Sequence, residues 1–246
     1  MSNASYWGCD IGGAGNTFLA RIEFGGTSGS IFTTHAFPGS TVELARHVWT
    51  NSLGHSAPIL LVVDAVLSYD LDSATGWRPA EKWLKSLLDR RLAMRPGASS
   101  LVSPNAFMGH RHLELAETLG AYFLVAETHP GTCLALMGAP LADIPQYKKD
   151  LAALNRLADW LRSRWFPSCS SQIRCDGELD ALVCAMVAAA MGGRDFPGLS
   201  LFTPILGDPR DSTSLPRPSL AGPAPFYLLC DPQVYDMMIV EDVMQG

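Results

Sequence analysis

The chain opens with three short apolar stretches set apart by glycine-rich turns. Tyr6 to Asp10 is an apolar run closed by Gly12-Gly13 and Gly15-Asn16, the pattern of a strand ending in a turn. Thr17 to Phe24 and Ser30 to Phe37 follow, separated by Gly25-Gly26-Thr27-Ser28-Gly29. Three strands with tight turns predict an antiparallel meander. Ser40 and Glu43 then have the spacing of a capping box, and Leu44, His47 and Val48 recur at helical spacing up to a stop at Gly54.

Pro58 to Val63, ending at Asp64, is the most apolar stretch of the chain and predicts a buried central strand. After a loop over 65–77, Pro79 stands at a first helical position, followed by an apolar stripe of Trp83, Leu84, Leu87, Leu88 and Leu92. A further helix runs from Ser103-Pro104 to near Gly120, and Ala121 to Ala126, ending at Glu127, is a second buried strand. Residues 147–166 and 178–191 read as helices, the second almost wholly apolar and therefore buried. From 196 to 225 prolines make the chain loop-rich, and Phe226 to Cys230 is a last strand. The order β-β-β-α-β-α-α-β-α-α predicts one α/β domain over 5–246, with a mixed sheet and a Pro-rich C-terminal extension at about 196–246. Regular alternation of strand and helix is absent, which excludes a doubly wound parallel fold.

A composition of 48% hydrophobic and 17% charged residues supplies a core and excludes wholesale disorder. No apolar run reaches the roughly 18 residues of a membrane helix, and the N-terminus lacks a secretory pattern. The six cysteines form neither Cys-x-x-Cys nor zinc-finger spacing, and Cys9, Cys184 and Cys230 sit in apolar runs. Together these predict a reduced, cytoplasmic protein without a membrane span. The net charge of −6 argues against a general nucleic-acid coating protein. Yet residues 78–174 carry 13 basic and 8 acidic side chains. That basic middle either faces a polyanion or forms solvated helix faces.

Three predicted strands end in an acid, Asp10, Asp64 and Glu127, and Asp176, Glu178 and Asp180 open the apolar helix. Hard divalent cations such as Mg²⁺ or Mn²⁺ take oxygen ligands, and a two-metal site draws carboxylates from several elements. Acids also occupy strand ends and helix N-termini for structural reasons, and Asp180 has a capping role as its alternative. His110 and His112 stand two apart on a helix and point away from each other, so they make no metal pair. Gly12-Gly13-x-Gly15 reads as a turn before it reads as a phosphate cradle.

Val63-Asp64-Ala65-Val66-Leu67, Arg78-Pro79-Ala80-Glu81, Glu127-Thr128-His129-Pro130, Lys149 with Arg156, and Asp180-Ala181-Leu182-Val183-Cys184-Ala185 resemble, in order, the motifs of one family. It is domain-of-unknown-function family 429, described as predicted RNase H-like nucleases. The resemblance covers roughly residues 5–192, and Gly8-Cys9-Asp10 matches its first strand. The chain departs from the pattern at Val66, where proline is usual, at Ser68, where glycine is usual, and at Gly177, where a further helix acid would fall.

The resemblance implies an RNase H-like fold: a mixed five-stranded sheet, three antiparallel strands followed by parallel ones, flanked by helices. It implies metal-dependent phosphodiester hydrolysis with two Mg²⁺ or Mn²⁺ ions, ligated by Asp10, Asp64, Asp180 and Glu127. His129 would orient the attacking water or contact a phosphate, or else cap the turn before Pro130. Arg78, Lys149 and Arg156 would bind the phosphate of a nucleic-acid substrate. The strands ending at Asp10 and Asp64 are then expected to be adjacent and parallel. Two other readings stay open: a catalytically silent RNase H-like binding or assembly protein, and a phosphotransferase of the sugar-kinase and actin type, suggested by Asp10-Ile11-Gly12-Gly13 but requiring a second copy of the core.

Overall fold

The computed structural model describes residues 5–12, 16–25, 29–52, 59–64, 123–202 and 226–243. Strands β1 (Ser5–Asp10), β2 (Phe18–Gly25) and β3 (Gly29–Ala36) form the expected antiparallel meander. Helix α1 (Thr41–Asn51) begins at the expected box: Ser40 Oγ accepts from the Glu43 amide at 3.3 Å, and Glu43 Oε2 accepts from the Ser40 amide at 2.6 Å. Strand β4 (Ile59–Asp64) then pairs with β1 in parallel, and β5 (Phe123–Glu127) pairs with β4 in parallel. The result is a five-stranded mixed sheet in the order β3-β2-β1-β4-β5. The helices expected at 79–92 and 103–120, and Arg78 with them, lie outside the described residues.

The C-terminal half departs from the expected pattern in four places. A short helix, α2 (Pro130–Leu136), follows β5 directly, with Pro130 at its first position. Helix α3 (Leu151–Trp165) starts later than residue 147, because Asp150 Oδ1 accepts from the Ala152 amide at 2.9 Å and caps it there. Tyr147 and Lys148 therefore sit on a turn. Strand β6 (Ser200–Phe202) lies within the stretch read as loop, and pairs antiparallel with β7 (Leu228–Cys230) in a separate two-stranded sheet. Between β6 and β7, the proline-rich residues 203–225 are outside the described residues. Helix α5 (Pro232–Val243) was not expected; Asp231 Oδ1 accepts from the Gln233 amide at its start.

Helix α4 (Asp176–Met191) is the organising element. It is apolar on all sides because it is buried on all sides, from Gly177 to Ala189. Tyr6, Ala20, Ile22, Leu60, Val62 and Ala126 share a core with it. On the opposite face of the sheet, Trp7, Cys9, Leu19, Leu61, Val63 and Val125 pack with Leu44, Ala45 and Val48 of α1. Strand alternation thus assigns even positions of β1 and β4 to the α4 face. The approach is close: a Cβ on Gly8 would overlap the Ala181 carbonyl oxygen and the Ala185 nitrogen. Among the described residues no helix is long and apolar enough to cross a membrane. All six cysteines are free thiols, five of them buried.

Candidate metal centre

Asp10 and Asp64 are the last residues of two adjacent parallel strands and are register partners. Both occupy even positions, so both face α4. Asp180, in the second turn of α4, stands on the surface they face. Carboxylate oxygens of Asp10, Asp64 and Asp180 all lie within 4.8 Å of one another. The side chains of Asp10 and Asp64 are partly exposed, whereas Asp180 is fully buried. The expectation that the two strands are adjacent and parallel is met.

Asp180 is not a helix cap. The N-cap position belongs to Cys175, and the carboxylate of Glu178 serves the helix start by accepting from the Arg174 amide at 2.7 Å. Its carboxylate is shared instead between the turn before α3 and the other two acids. Tyr147 donates its hydroxyl proton to Oδ1 at 2.7 Å, and Lys148 Nζ stands 2.9 Å from Oδ2. The Lys148 side chain is half exposed and also lies over the Tyr147 ring, 5.6 Å from its centroid.

The electrostatics follow from three acids in one poorly hydrated place. Burial, then the charges of Asp180 and Asp64, push the Asp10 carboxyl up to about 8 against the opposing pull of Lys148. Burial raises Asp64 and Asp180 to about 6, again against Lys148. Burial works against the Lys148 ammonium, but Asp180, Asp64 and Asp10 outweigh it and hold its pKa above the ordinary lysine value. Burial likewise keeps Tyr147 protonated, reinforced by the Asp180 charge.

Glu127 ends β5 but does not join the three acids. It is buried, is the register partner of Val63, and stands two residues after Val125, on the same α1 side of the sheet. Its backbone carries structure: the carbonyl accepts from the Tyr227 amide at 3.0 Å. His129 is the N-cap of α2, its Nδ1 accepting from the Thr132 amide at 3.2 Å, so the neutral ring keeps its proton on Nε2. Burial, with a push from Lys148 that Asp180 partly offsets, brings His129 down to about 4.

Arg156 is engaged elsewhere. Its Nε and Nη2 grip the Asp143 carboxylate, with Nε 3.0 Å from Oδ2 and Nη2 2.5 Å from Oδ1. The pair holds the turn that carries Tyr147 and Lys148, since the Tyr147 amide donates to the Asp143 carbonyl at 2.9 Å. Lys149 is exposed, and the lysine on the acids is its neighbour Lys148. Tyr147 and Lys148 escaped the sequence reading because a helix over 147–166 gives them no relation to Asp180. The only signal was a basic pair just before the capping Asp150.

The donor set is three carboxylates with oxygens alone, which suits a hard divalent cation such as Mg²⁺ or Mn²⁺. The cradle is also tight: a Cβ on Gly177 would overlap the Phe18 ring and stand 2.9 Å from Asp10 Oδ2. No protein-family model, curated protein or solved structure matches the chain.

Proposed function

We propose that the protein is a divalent-cation-dependent phosphodiester hydrolase of RNase H-like type, acting on nucleic acid. The observation that carries this reading is the convergence of Asp10, Asp64 and Asp180 within 4.8 Å at the ends of adjacent parallel strands and on a buried helix. The sheet order, with three antiparallel strands followed by parallel ones, supports it. So does the sequence resemblance to domain-of-unknown-function family 429.

Asp10 and Asp64 hold the cation from the sheet and Asp180 holds it from the helix. Burying the Asp180 charge is costly unless it is paired. Tyr147 and Lys148 meet that cost and fix the carboxylate's orientation. The cation, Mg²⁺ or Mn²⁺, supplies Lewis-acid stabilisation of a phosphoryl group. His129 stays neutral and offers its Nε2 proton to a phosphate, its other nitrogen being committed to Thr132. Arg78 and Lys149 add cationic guidance along the nucleic acid.

The test is cleavage of labelled single- and double-stranded DNA and RNA with Mg²⁺, Mn²⁺ or EDTA. Cleavage is expected with the ions only. It should be lost in Asp10→Asn, Asp64→Asn and Asp180→Asn while circular dichroism shows each variant folded. Substrate binding should weaken steeply with salt. Cleavage that survives EDTA, that persists in Asp180→Asn, or that is absent under every condition would overturn the reading.

A further inference from the structure

A two-metal centre holds its ions about 3.5–4 Å apart and needs carboxylates on both sides of the pair. Among the described residues, the geometry around Asp180 leaves little provision for a second ion. Glu127, the fourth expected ligand, follows the opposite face of the sheet. At position 177, where a further helix acid would fall, any side chain would collide with the Phe18 ring and crowd Asp10 Oδ2. Asp180 Oδ1 is committed to Tyr147, which leaves Oδ2, with the Lys148 ammonium 2.9 Å away, as the oxygen that can reach one cation.

That ammonium is delivered by a braced piece of chain. Tyr147 is buried and anchored to Asp180, its amide is bonded to the Asp143 carbonyl, and the Lys149 amide donates to the Gln146 carbonyl at 2.8 Å. Asp143 is in turn gripped by Arg156 on α3. The Lys148 side chain runs from this turn to Asp180 with half its surface still open to solvent. It is thus fixed at its base and held at its tip by Asp180, with part of the side chain open to an incoming ligand. Charge agrees: the three clustered carboxylates are matched by one ammonium and one divalent cation, whereas two divalent cations beside the lysine would leave the cluster strongly positive.

We propose that Lys148 stands in for a second metal ion, so that the site takes a single divalent cation on Asp10, Asp64 and Asp180 and Lys148 meets the substrate phosphate. The proposal rests on the hydrolase reading above and specifies how its site is built. Lys148 keeps its proton throughout and contributes positive charge at a non-bridging phosphate oxygen. The point charge of an ammonium suits this role.

Mn²⁺ binding to the full chain, followed by calorimetry and electron paramagnetic resonance, tests it. The wild type is expected to bind one Mn²⁺ per chain with the spectrum of an isolated ion. Lys148→Met removes a neighbouring cation, so its affinity for Mn²⁺ should rise about tenfold or more, while cleavage falls sharply. Lys148→Arg should restore wild-type stoichiometry and part of the cleavage. An exchange-coupled pair of ions in the wild type would overturn the single-ion site and leave the hydrolase reading standing. Lys148→Met that binds Mn²⁺ no more tightly, or cleaves at the wild-type rate, would show a structural lysine. A wild type that binds no Mn²⁺ would overturn both.

Discussion

The hydroxyl of Tyr147 lies 2.7 Å from Asp180 Oδ1 and joins a turn to the buried helix α4. Neither residue is near the other in sequence, and neither is a cap. The bond closes off one side of a carboxylate that is fully buried. It lets an acid in an apolar helix remain oriented toward two other acids.

Tyr147→Phe keeps the ring and deletes this bond. A buried hydrogen bond to a charged group is worth about 1.5–3 kcal/mol, so urea unfolding at neutral pH should show a loss of that order. The affinity for Mg²⁺, measured by the cation-dependent rise in melting temperature, should fall as well, because Asp180 loses its fixed orientation. A variant as stable as the wild type, with equal cation affinity, would show that the hydroxyl merely fills space.

The three acids give the cation-free protein an unusual pH dependence. Asp10 rises from 3.8 to about 8, and Asp64 and Asp180 rise to about 6. A carboxyl whose pKa is raised by folding contributes most below its unfolded value, and that contribution is lost as pH rises through the folded value. In EDTA, their share of stability should therefore decline between about pH 4 and pH 8. His35, His47 and His129, held below the ordinary histidine value by burial, act oppositely and lose stability as pH falls. The comparison of wild type with Asp10→Asn isolates the acids: the wild type should lose stability relative to the variant as pH rises. Saturating Mg²⁺ should reverse the difference, and its stabilising effect should grow with pH. A pH-independent difference in EDTA would contradict the repulsion described here.

Gly8 tests the seating of α4. A Cβ there would meet backbone atoms of Ala181 and Ala185, which cannot turn aside as a side chain can. Gly8→Ala should force the helix off the sheet and cost about 3 kcal/mol, at the upper end for overpacked cores. The midpoint of urea unfolding should drop with an unchanged slope. Since Asp180 rides on the same helix, cation affinity should fall in parallel. A stable variant that loses only cation affinity would point to local disturbance of the site.

Local patterns were enough to reveal much of the scaffold. The glycine-rich turns and apolar runs at residues 6–37 announced the meander, Ser40 and Glu43 announced α1, and the acids at the ends of β1 and β4 marked the site. These features depend on neighbours in sequence: a capping box spans four residues, and a strand shows as a run. The wholly apolar body of α4 likewise declared its own burial, because no face of it could meet water.

Other features depended on contacts between distant segments. Whether Asp180 capped a helix or faced the sheet was settled by the close seating of α4 on Gly8, which brings it opposite Asp10 and Asp64. Glu127 shares the strand-end pattern of those acids, yet the register of β5 aligns it with Val63 on the other face. Lys148 is indistinguishable from Lys149 in sequence; the cap at Asp150 starts the helix after both of them and leaves the pair on a turn. Arg156, basic and helical, turned out to be bound to Asp143. Strand-end acids can be read from the chain because each sits beside its own apolar run. Their partners cannot, because a carboxylate's neighbours are chosen by strand register, helix seating and turn geometry, which bring together residues far apart in the chain.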